Sequence, residues 1–439
     1  MRENANISEL IDKAKKNGAD SVDVIFAERS SISASSRLAK LETIEKADVI
    51  IASVRVFVGD KSAVLTTDNI DDLRSDLFSE KAVAAAKCSP SNPKKIRAAA
   101  TDLCKNFTEI DICDPKDIDH ETLIESAKKC EDIALQIKGI TNSEGAEAAF
   151  SRTKFVVARD DGFFEKYEKT GNSLSLSVLA EKNGDLERSY SFSNAVYHSD
   201  LKSLKRIANE AAEKTLRKLG ARKILSCKVP VIFHRDVASS LLQSILSALN
   251  GAVVARGISF LKDKLSQKIF SDELNIIDQY DVCRGLCSKP FDTDGIACSN
   301  RKLIENGVLN SFLLNTKYAE ILGMQSTGHA SGWDSISPNN VCINKGSMSF
   351  DALVGDVQRG LYVTEVLGNG LNIVTGNYSQ GACGFWIENG KITYPVNEIT
   401  VAGNFIDMFN NCTFASDLEF EFGIDSPTML FDEMVVGGI

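Results

Sequence analysis

Histidine and tryptophan are scarce in this chain. Its 439 residues carry four histidines, His120, His198, His234 and His329, and two tryptophans. A metal site built on paired imidazoles has few places to form. None of the eleven cysteines sits in a CxxC pair, which removes the common zinc-ribbon and redox spacings. An odd cysteine count in a chain this long reads as free thiols of a reducing compartment. Long apolar runs are also missing: the longest candidate, Val49–Val58, is broken by Ser53 and Arg55, well short of the ~18 residues that span a bilayer. The opening Met1-Arg-Glu-Asn has no apolar stretch of the secretory kind, so a cytoplasmic location without membrane contact is expected. Finally there is no basic excess. The 50 Lys and Arg face 60 Asp and Glu, for a net charge of −10. That sign opposes the counterion release that drives nucleic-acid binding, so direct contact with DNA or RNA is not expected.

What is present is ordinary globular composition, 43% hydrophobic and 25% charged, which excludes disordered, collagenous and coiled-coil chains. At roughly 150 residues per domain the length suggests two or three domains. Ile7, Leu10, Ile11 and Ala14 repeat at helical spacing before Gly18, so a helix opens the chain. Val22 to Leu65 is rich in β-branched residues and reads as a meander with a turn at Gly59-Asp60. Helices are expected over Asp71–Lys87, with a loop at Ser89–Pro93, and from Asp119 or Thr122 to about Lys138. Glu147 to Arg159 reads as extended. Asp161-Gly162, Asn183-Gly184, Asn306-Gly307 and Asn389-Gly390 each suit a hairpin turn, so antiparallel sheet is expected in both halves. A striped helix over Leu201–Leu219 separates them. Val229–Phe233 then reads as a strand, followed by a helix over about 235–250. The expected class is α+β: an N-terminal domain, 1–222, of helices packed on an antiparallel sheet, and a mostly antiparallel β domain, 223–439.

The candidate chemistry is thin. His120-Glu121 is the one His-Glu pair, and Ile124 and Glu125 stand where a second histidine would complete a zinc helix. Cys283, Cys287 and Cys298 match no common zinc spacing, and core packing is the simpler reading. His329 lies in a loop of small residues, where exposure for binding competes with plain turn hydrogen bonding. Ser240, Gln243, Ser244 and Ser247 make a polar stripe on the 235–250 helix, with no histidine beside them to act as base. The basic residues Lys202, Lys205, Arg206, Lys214, Arg217 and Lys218 are interspersed with Glu210 and Glu213, which marks a solvated helix face.

Several blocks of the C-terminal half carry a resemblance. Ser259-Phe-Leu-Lys-Asp-Lys-Leu265, Ser288-Lys-Pro-Phe-Asp-Thr-Asp-Gly295, Leu313-Leu-Asn-Thr-Lys-Tyr-Ala319, Val374-Thr-Gly-Asn-Tyr-Ser-Gln-Gly381 and Phe385-Trp-Ile-Glu-Asn-Gly-Lys-Ile-Thr-Tyr-Pro-Val396 resemble the TldD/PmbA family, as do Ile399-Thr-Val-Ala-Gly-Asn404 and Gly18-Ala-Asp-Ser-Val-Asp-Val24. The resemblance covers essentially the whole chain. In the family's catalytic branch, HExxxH lies on the helix after the first strand of the C-terminal domain, and a Cys near the C-terminus completes the zinc site. Here Gln243, Ser244 and Ala248 occupy the HExxxH positions, and Asp417–Ser426 contains no cysteine. The resemblance therefore implies the PmbA/TldE branch: no catalytic residue, metal or cofactor in this chain, and zinc in a TldD-type partner. It further implies a cytoplasmic heterodimeric metalloprotease for unfolded or flexible peptides, and it carries the older label of modulator of DNA gyrase. An isolated chain would pair with itself. Asn377, Tyr378, Ser379, Gln380 and Gly381 are the candidate residues for the peptide channel or subunit junction, against a plain β-turn reading. Two alternatives stay open: a non-catalytic peptide-binding or regulatory homodimer, and an independent hydrolase with its own site.

Overall fold

The computed structural model describes residues 2–92 and 96–439, with side chains from residue 5 onward. Met1 and Pro93 lie outside the described residues, so the loop expected at Ser89–Pro93 is followed only to 92. The first half contains α1 (Arg2–Lys16), β1 (Ser21–Arg37), β2 (Lys40–Val58), β3 (Lys61–Thr67), α2 (Asp76–Cys88) and α3 (His120–Leu135). It continues through β4 (Asn142–Arg159), β5 (Phe164–Lys182), β6 (Asp185–Ala195) and α4 (Leu204–Lys218). The second half opens with β7 (Cys227–Phe233), α5 (Arg235–Leu249) and α6 (Gly251–Ala255). Then come β8 (Ile276–Gln279), β9 (Arg301–Glu305), β10 (Val308–Leu309), α7 (Thr316–Leu322), β11 (Asn340–Ile343), α8 (Phe350–Gly355) and β12 (Arg359–Leu367). The chain ends through β13 (Asn377–Glu388), β14 (Lys391–Asn404), α9 (Phe405–Asn410), β15 (Cys412–Phe414), β16 (Ile424–Asp425) and β17 (Met429–Gly437).

One six-stranded antiparallel sheet, in the order β3-β2-β1-β4-β5-β6, forms the first half. Its helix side is apolar in two patches. Val24, Phe26, Val54 and Val56 pack with Leu10 of α1 and Val83 of α2. Further along, Ala34, Phe150 and Leu176 pack with Leu123 of α3 and Ile207 of α4. The second half holds two sheets, β10-β9-β8-β11-β16 and β14-β13-β12-β7-β17-β15. Each contains a single parallel pairing, β11 with β16 and β12 with β7, within otherwise antiparallel ladders. Their shared core includes a chain of rings in which Phe233, Phe431, Phe409 and Phe405 meet edge to face or tilted at 5.5–5.6 Å. This is the α+β class that the sequence pattern predicts.

Two expectations need correction. The helix expected from Leu201 starts at Leu204, because the Ser203 side chain accepts the Arg206 N–H and caps it there. The helix expected over Asp71–Lys87 is split at Ser75, which ends a short 3₁₀ turn, Ile70–Arg74, and caps α2. The meander expected over Val22–Leu65 is present as β1-β2-β3, with Gly59-Asp60 turning β2 into β3, and its other tip, Leu38-Ala39, has positive φ at both residues, 51° and 61°. Neither is Gly, Asn or Asp. The turn is secured instead by Glu131 of α3, fully buried, which accepts the Leu38 N–H at 2.8 Å, the Ala39 N–H at 3.2 Å and the Ser36 hydroxyl at 2.9 Å. A left-handed conformation costs an L-residue roughly 1–2 kcal/mol. Ala39→Gly is therefore expected to raise the unfolding free energy by about 0.5–1 kcal/mol after glycine's entropic penalty. A fall in the urea midpoint would show that the turn stores no strain.

Candidate functional site

α5 stands directly after the central strand β7, and His234 caps it by accepting the Asp236 N–H on Nδ1 at 3.2 Å. One face, Leu241, Leu242, Ile245 and Leu249, is buried in the core. The other carries the polar stripe, with Gln243 and Ser247 exposed. These serines spend their hydroxyls on their own helix: Ser240 donates to the Val237 carbonyl at 2.6 Å, Ser244 to Ser240 at 3.0 Å and Ser247 to Gln243 at 2.9 Å. Among the described residues no base hydrogen-bonds to them, so none is an activated nucleophile. Ala248 is buried.

The segment Asp417–Ser426 lies against α5. The Ser426 N–H donates to Ser239 Oγ at 3.2 Å, and Arg235 pairs with Glu419 at 2.7 Å. Asp425 gathers the N–H groups of Glu421, Phe422 and Gly423 at 2.9–3.0 Å, which fixes the loop's curl. A zinc ion takes thiolate, imidazole or carboxylate ligands. At the three α5 positions and in this loop's cysteine position the chain offers an amide, a hydroxyl, a methyl and no thiol, so these residues do not fit a zinc ion. Among the described residues no group of three or more His, Cys, Asp or Glu side chains is arranged to hold a metal.

Beside the start of α5 a cavity of about 390 Å³ opens between α4, β6 and β12. Phe192, Tyr362, Phe385 and Phe422 give it aromatic walls, with His234 and Ser240 at the helix end. Charges at its rim are paired, Lys214 with Asp236 at 3.4 Å and Lys218 with Glu365. Burial, partly offset by Asp236, holds the His234 imidazole below its ordinary value, favouring the neutral ring. The aromatic walls come from segments far apart in sequence, and no local pattern marks them.

The residues singled out in the sequence disperse. Asn377 to Gly381 form the start of β13, not a β-turn; the turn precedes them, where the Gly376 N–H donates to Asn372 O. Strand alternation sends Tyr378 and Gln380 inward and Asn377 and Ser379 to the surface. Tyr378 packs against Phe233 and Phe405 and donates to Gln380 Oε1 at 2.7 Å. No hydrogen bond or ring contact joins these five residues to Gln243, Ser244 or Ala248 among the described residues. Core packing holds for Cys298, whose thiol burial pushes up to about 12, but Cys283 is exposed and Cys287 is half-buried. His329 is not in an exposed loop position: it is fully buried, with Nε2 2.8 Å from Asp278 Oδ2 and Nδ1 2.7 Å from Thr327 Oγ1. His120 is exposed at the first turn of α3, and two cations of the basic cluster are committed to neighbours, Arg206 of α4 to Glu210 at 2.8 Å and Lys202, just before α4, to Glu421 at 2.9 Å. No described helix is long and apolar enough to cross a membrane.

Comparison with known proteins places this arrangement. Residues 22–88, 113–219 and 226–438 match, in turn, domain 1, the central domain and the C-terminal domain of the PmbA/TldA metallopeptidases. The metalloprotease PmbA of Escherichia coli O157:H7 is 33% identical over 422 residues, 96% of this chain and 93% of that protein. A PmbA homologue of Haemophilus influenzae is 32% identical over 98% of this chain and 95% of its own length. A crystal structure from Bacteroides thetaiotaomicron, described as a candidate modulator of DNA gyrase, superposes with a TM-score of 0.92 at 27% identity, covering 99% of both chains. TldE from Thermococcus kodakarensis shares the fold, with a TM-score of 0.86 at 19% identity over 99% of this chain and 100% of that one. The chain belongs to the PmbA/TldD metallopeptidase family.

Proposed function

We propose that this chain is the PmbA/TldE-type subunit of a two-subunit cytoplasmic peptidase, holding unfolded or flexible peptides while a TldD-type partner supplies the zinc and the hydrolytic water. The observation that carries this reading is the donor set on α5. Gln243, Ser244 and Ala248 stand where zinc ligands and a general base would be needed, and Asp417–Ser426 has no thiol. What remains near α5 suits binding rather than bond cleavage. The aromatic cavity accepts a large apolar side chain, and strand edges can hold a peptide through its backbone with little regard to sequence. Asn377 and Ser379, exposed at the start of β13, are the polar groups this reading assigns to the peptide path or subunit junction.

Co-expression with a TldD-type protein from the same genome tests it. The purified pair is expected to cleave an unfolded peptide in a chelator-sensitive way, while this chain alone stays inactive. Cleavage by this chain alone that survives a chelator overturns the reading, as does a partner whose cleavage is unaffected by adding this chain.

A further inference from the structure

Residues 418–422, in the loop beside α5, are held in place by charge. The ends of this segment are pinned. Asp417 accepts the Thr428 N–H at 2.9 Å and the Thr428 hydroxyl at 2.7 Å, and Asp425 takes the N–H groups of Glu421, Phe422 and Gly423. Between those posts the backbones of Leu418, Glu419 and Phe420 make no hydrogen bond among the described residues, and the segment joins no helix or strand. Ion pairs fasten it instead. Arg235 holds Glu419 at 2.7 Å and Glu421 at 3.7 Å, Arg206 reaches Glu419 at 3.4 Å, and Lys202 lies 2.9 Å from Glu421. The two acids alternate with Leu418, Phe420 and Phe422, and Phe420 is 70% exposed. A stretch with side-chain tethers and no backbone bonds belongs to the low-stability end of a fold and opens readily.

The same segment divides two cavities. The aromatic cavity of about 390 Å³ has Phe422 in its wall, and a second of about 470 Å³ is lined by Glu419, Phe420 and Glu421. Phe192 of β6 lines both, and the Phe422 ring meets it with centroids 5.5 Å apart. The first cavity reaches back along β6 to Ser189 and Tyr190, the second forward to Ser193 and Asn194. β6 ends the order of its sheet, so among the described residues no strand covers its outer edge. We propose that residues 418–422 are a charge-latched flap. With the ion pairs made, the flap partitions the two cavities at Phe192; with them released, it joins them into one groove along β6 that admits an extended peptide segment. The latch is open to control from solvent. Arg206 and Glu419 are 48% and 46% exposed, and salt screens pairs of that kind.

The flap deepens the peptide-holding reading above and rests on it for the identity of the occupant, and the experiment separates the two. Chymotrypsin cuts after Leu418, Phe420 or Phe422 when the segment leaves its site, so the rate of that cut, followed by mass spectrometry, tracks the open population. Glu419→Gln with Glu421→Gln keeps size and removes the latch. Its cutting rate at low salt is expected to exceed that of the wild type by about tenfold. Raising sodium chloride from about 0.05 to 0.5 M is expected to speed the cut several-fold in the wild type and to leave the double variant nearly unchanged. Circular dichroism confirms that the variant is folded, and the wild-type salt series needs no variant. A rate that neither the substitutions nor salt alters, or one that salt raises equally in both proteins, overturns the flap. Binding of a dye-labelled unfolded peptide of zero net charge to the chain alone is read separately by fluorescence anisotropy. Its apparent affinity is expected to rise with the open population. Faster cutting with unchanged peptide affinity upholds the flap and overturns the peptide reading of the groove.

Discussion

Arg55→Ala lowers the unfolding free energy by about 3–5 kcal/mol, and the deficit is larger at neutral pH than at acid pH. Arg55 is 4% exposed in β2, where its Nη2 lies 2.9 Å from Asp23 Oδ2 and 3.7 Å from Asp294 Oδ1. Its guanidinium lies over the Trp333 ring at 4.2 Å, and Trp333 Nε1 donates to Ser53 Oγ at 2.8 Å. One side chain therefore ties the first-half sheet to two loops of the second half. Asp23 keeps other cations, Arg97 at 2.8 Å and Arg159 at 3.7 Å, but no other basic side chain pairs with Asp294 among the described residues. Burial raises the Asp294 carboxyl above its ordinary value of 3.8, and Arg55 pulls it back. A carboxyl raised in the fold contributes stability that is full below its unfolded value and lost as pH rises through its folded value. Removing Arg55 raises that folded value further, so the deficit grows as pH climbs above the carboxyl's ordinary 3.8. Urea unfolding at several pH values measures it. Arg55→Lys keeps the charge and loses the flat stack on Trp333, and falls between wild type and Ala. A deficit below about 1 kcal/mol, or one independent of pH, would mean that the union of the halves rests on apolar packing instead.

Much of this architecture is legible from local signals because local chemistry makes it. Asn183-Gly184, Asn306-Gly307 and Asn389-Gly390 all adopt positive φ and close β5–β6, β9–β10 and β13–β14. Asp119 caps α3 by accepting the Thr122 N–H at 2.8 Å, as its placement before an amphipathic run predicts. The Leu38-Ala39 tip is invisible by contrast. Its left-handed residues are held by Glu131, more than ninety positions away, and no dipeptide code reports a tertiary hydrogen bond. The same reasoning covers the candidate site. That Gln243, Ser244 and Ala248 carry an amide, a hydroxyl and a methyl is a local fact that the sequence alone displays. The aromatic cavity is assembled from β6, β12, β13 and the Asp417–Ser426 loop, so it exists only once the chain has folded.

His329 is where local reading fails most fully, and it carries the second large effect. A histidine among Ser, Thr, Gly and Ala suggests an exposed turn, yet the small neighbours are what let the loop press it into the core. There it is 0% exposed, as is Asp278. Nε2–H donates to Asp278 at 2.8 Å, the Thr327 hydroxyl lies 2.7 Å from Nδ1, and Asn339 Nδ2 donates to the second Asp278 oxygen at 2.9 Å. His329→Ala leaves the Asp278 carboxyl buried with Asn339 as its remaining side-chain donor, an expected cost of about 3 kcal/mol or more. Burial lowers the imidazole below its ordinary 6.5, with Lys289 and Arg301 adding to the lowering and Asp278 opposing it. The fold thus keeps the ring neutral at a pH where the unfolded chain already binds a proton. Its contribution is full above 6.5 and drains away as pH falls from there through the folded value. Between pH 7 and pH 5 the wild type is therefore expected to lose stability faster than His329→Ala, and the two urea midpoints converge. His234, also lowered, remains in both proteins and cancels from that comparison. Parallel midpoints across the window would mean that the fold leaves the titration of His329 unshifted, and midpoints that diverge as pH falls would mean that the ring stays protonated inside the core; either result overturns the neutral-ring assignment.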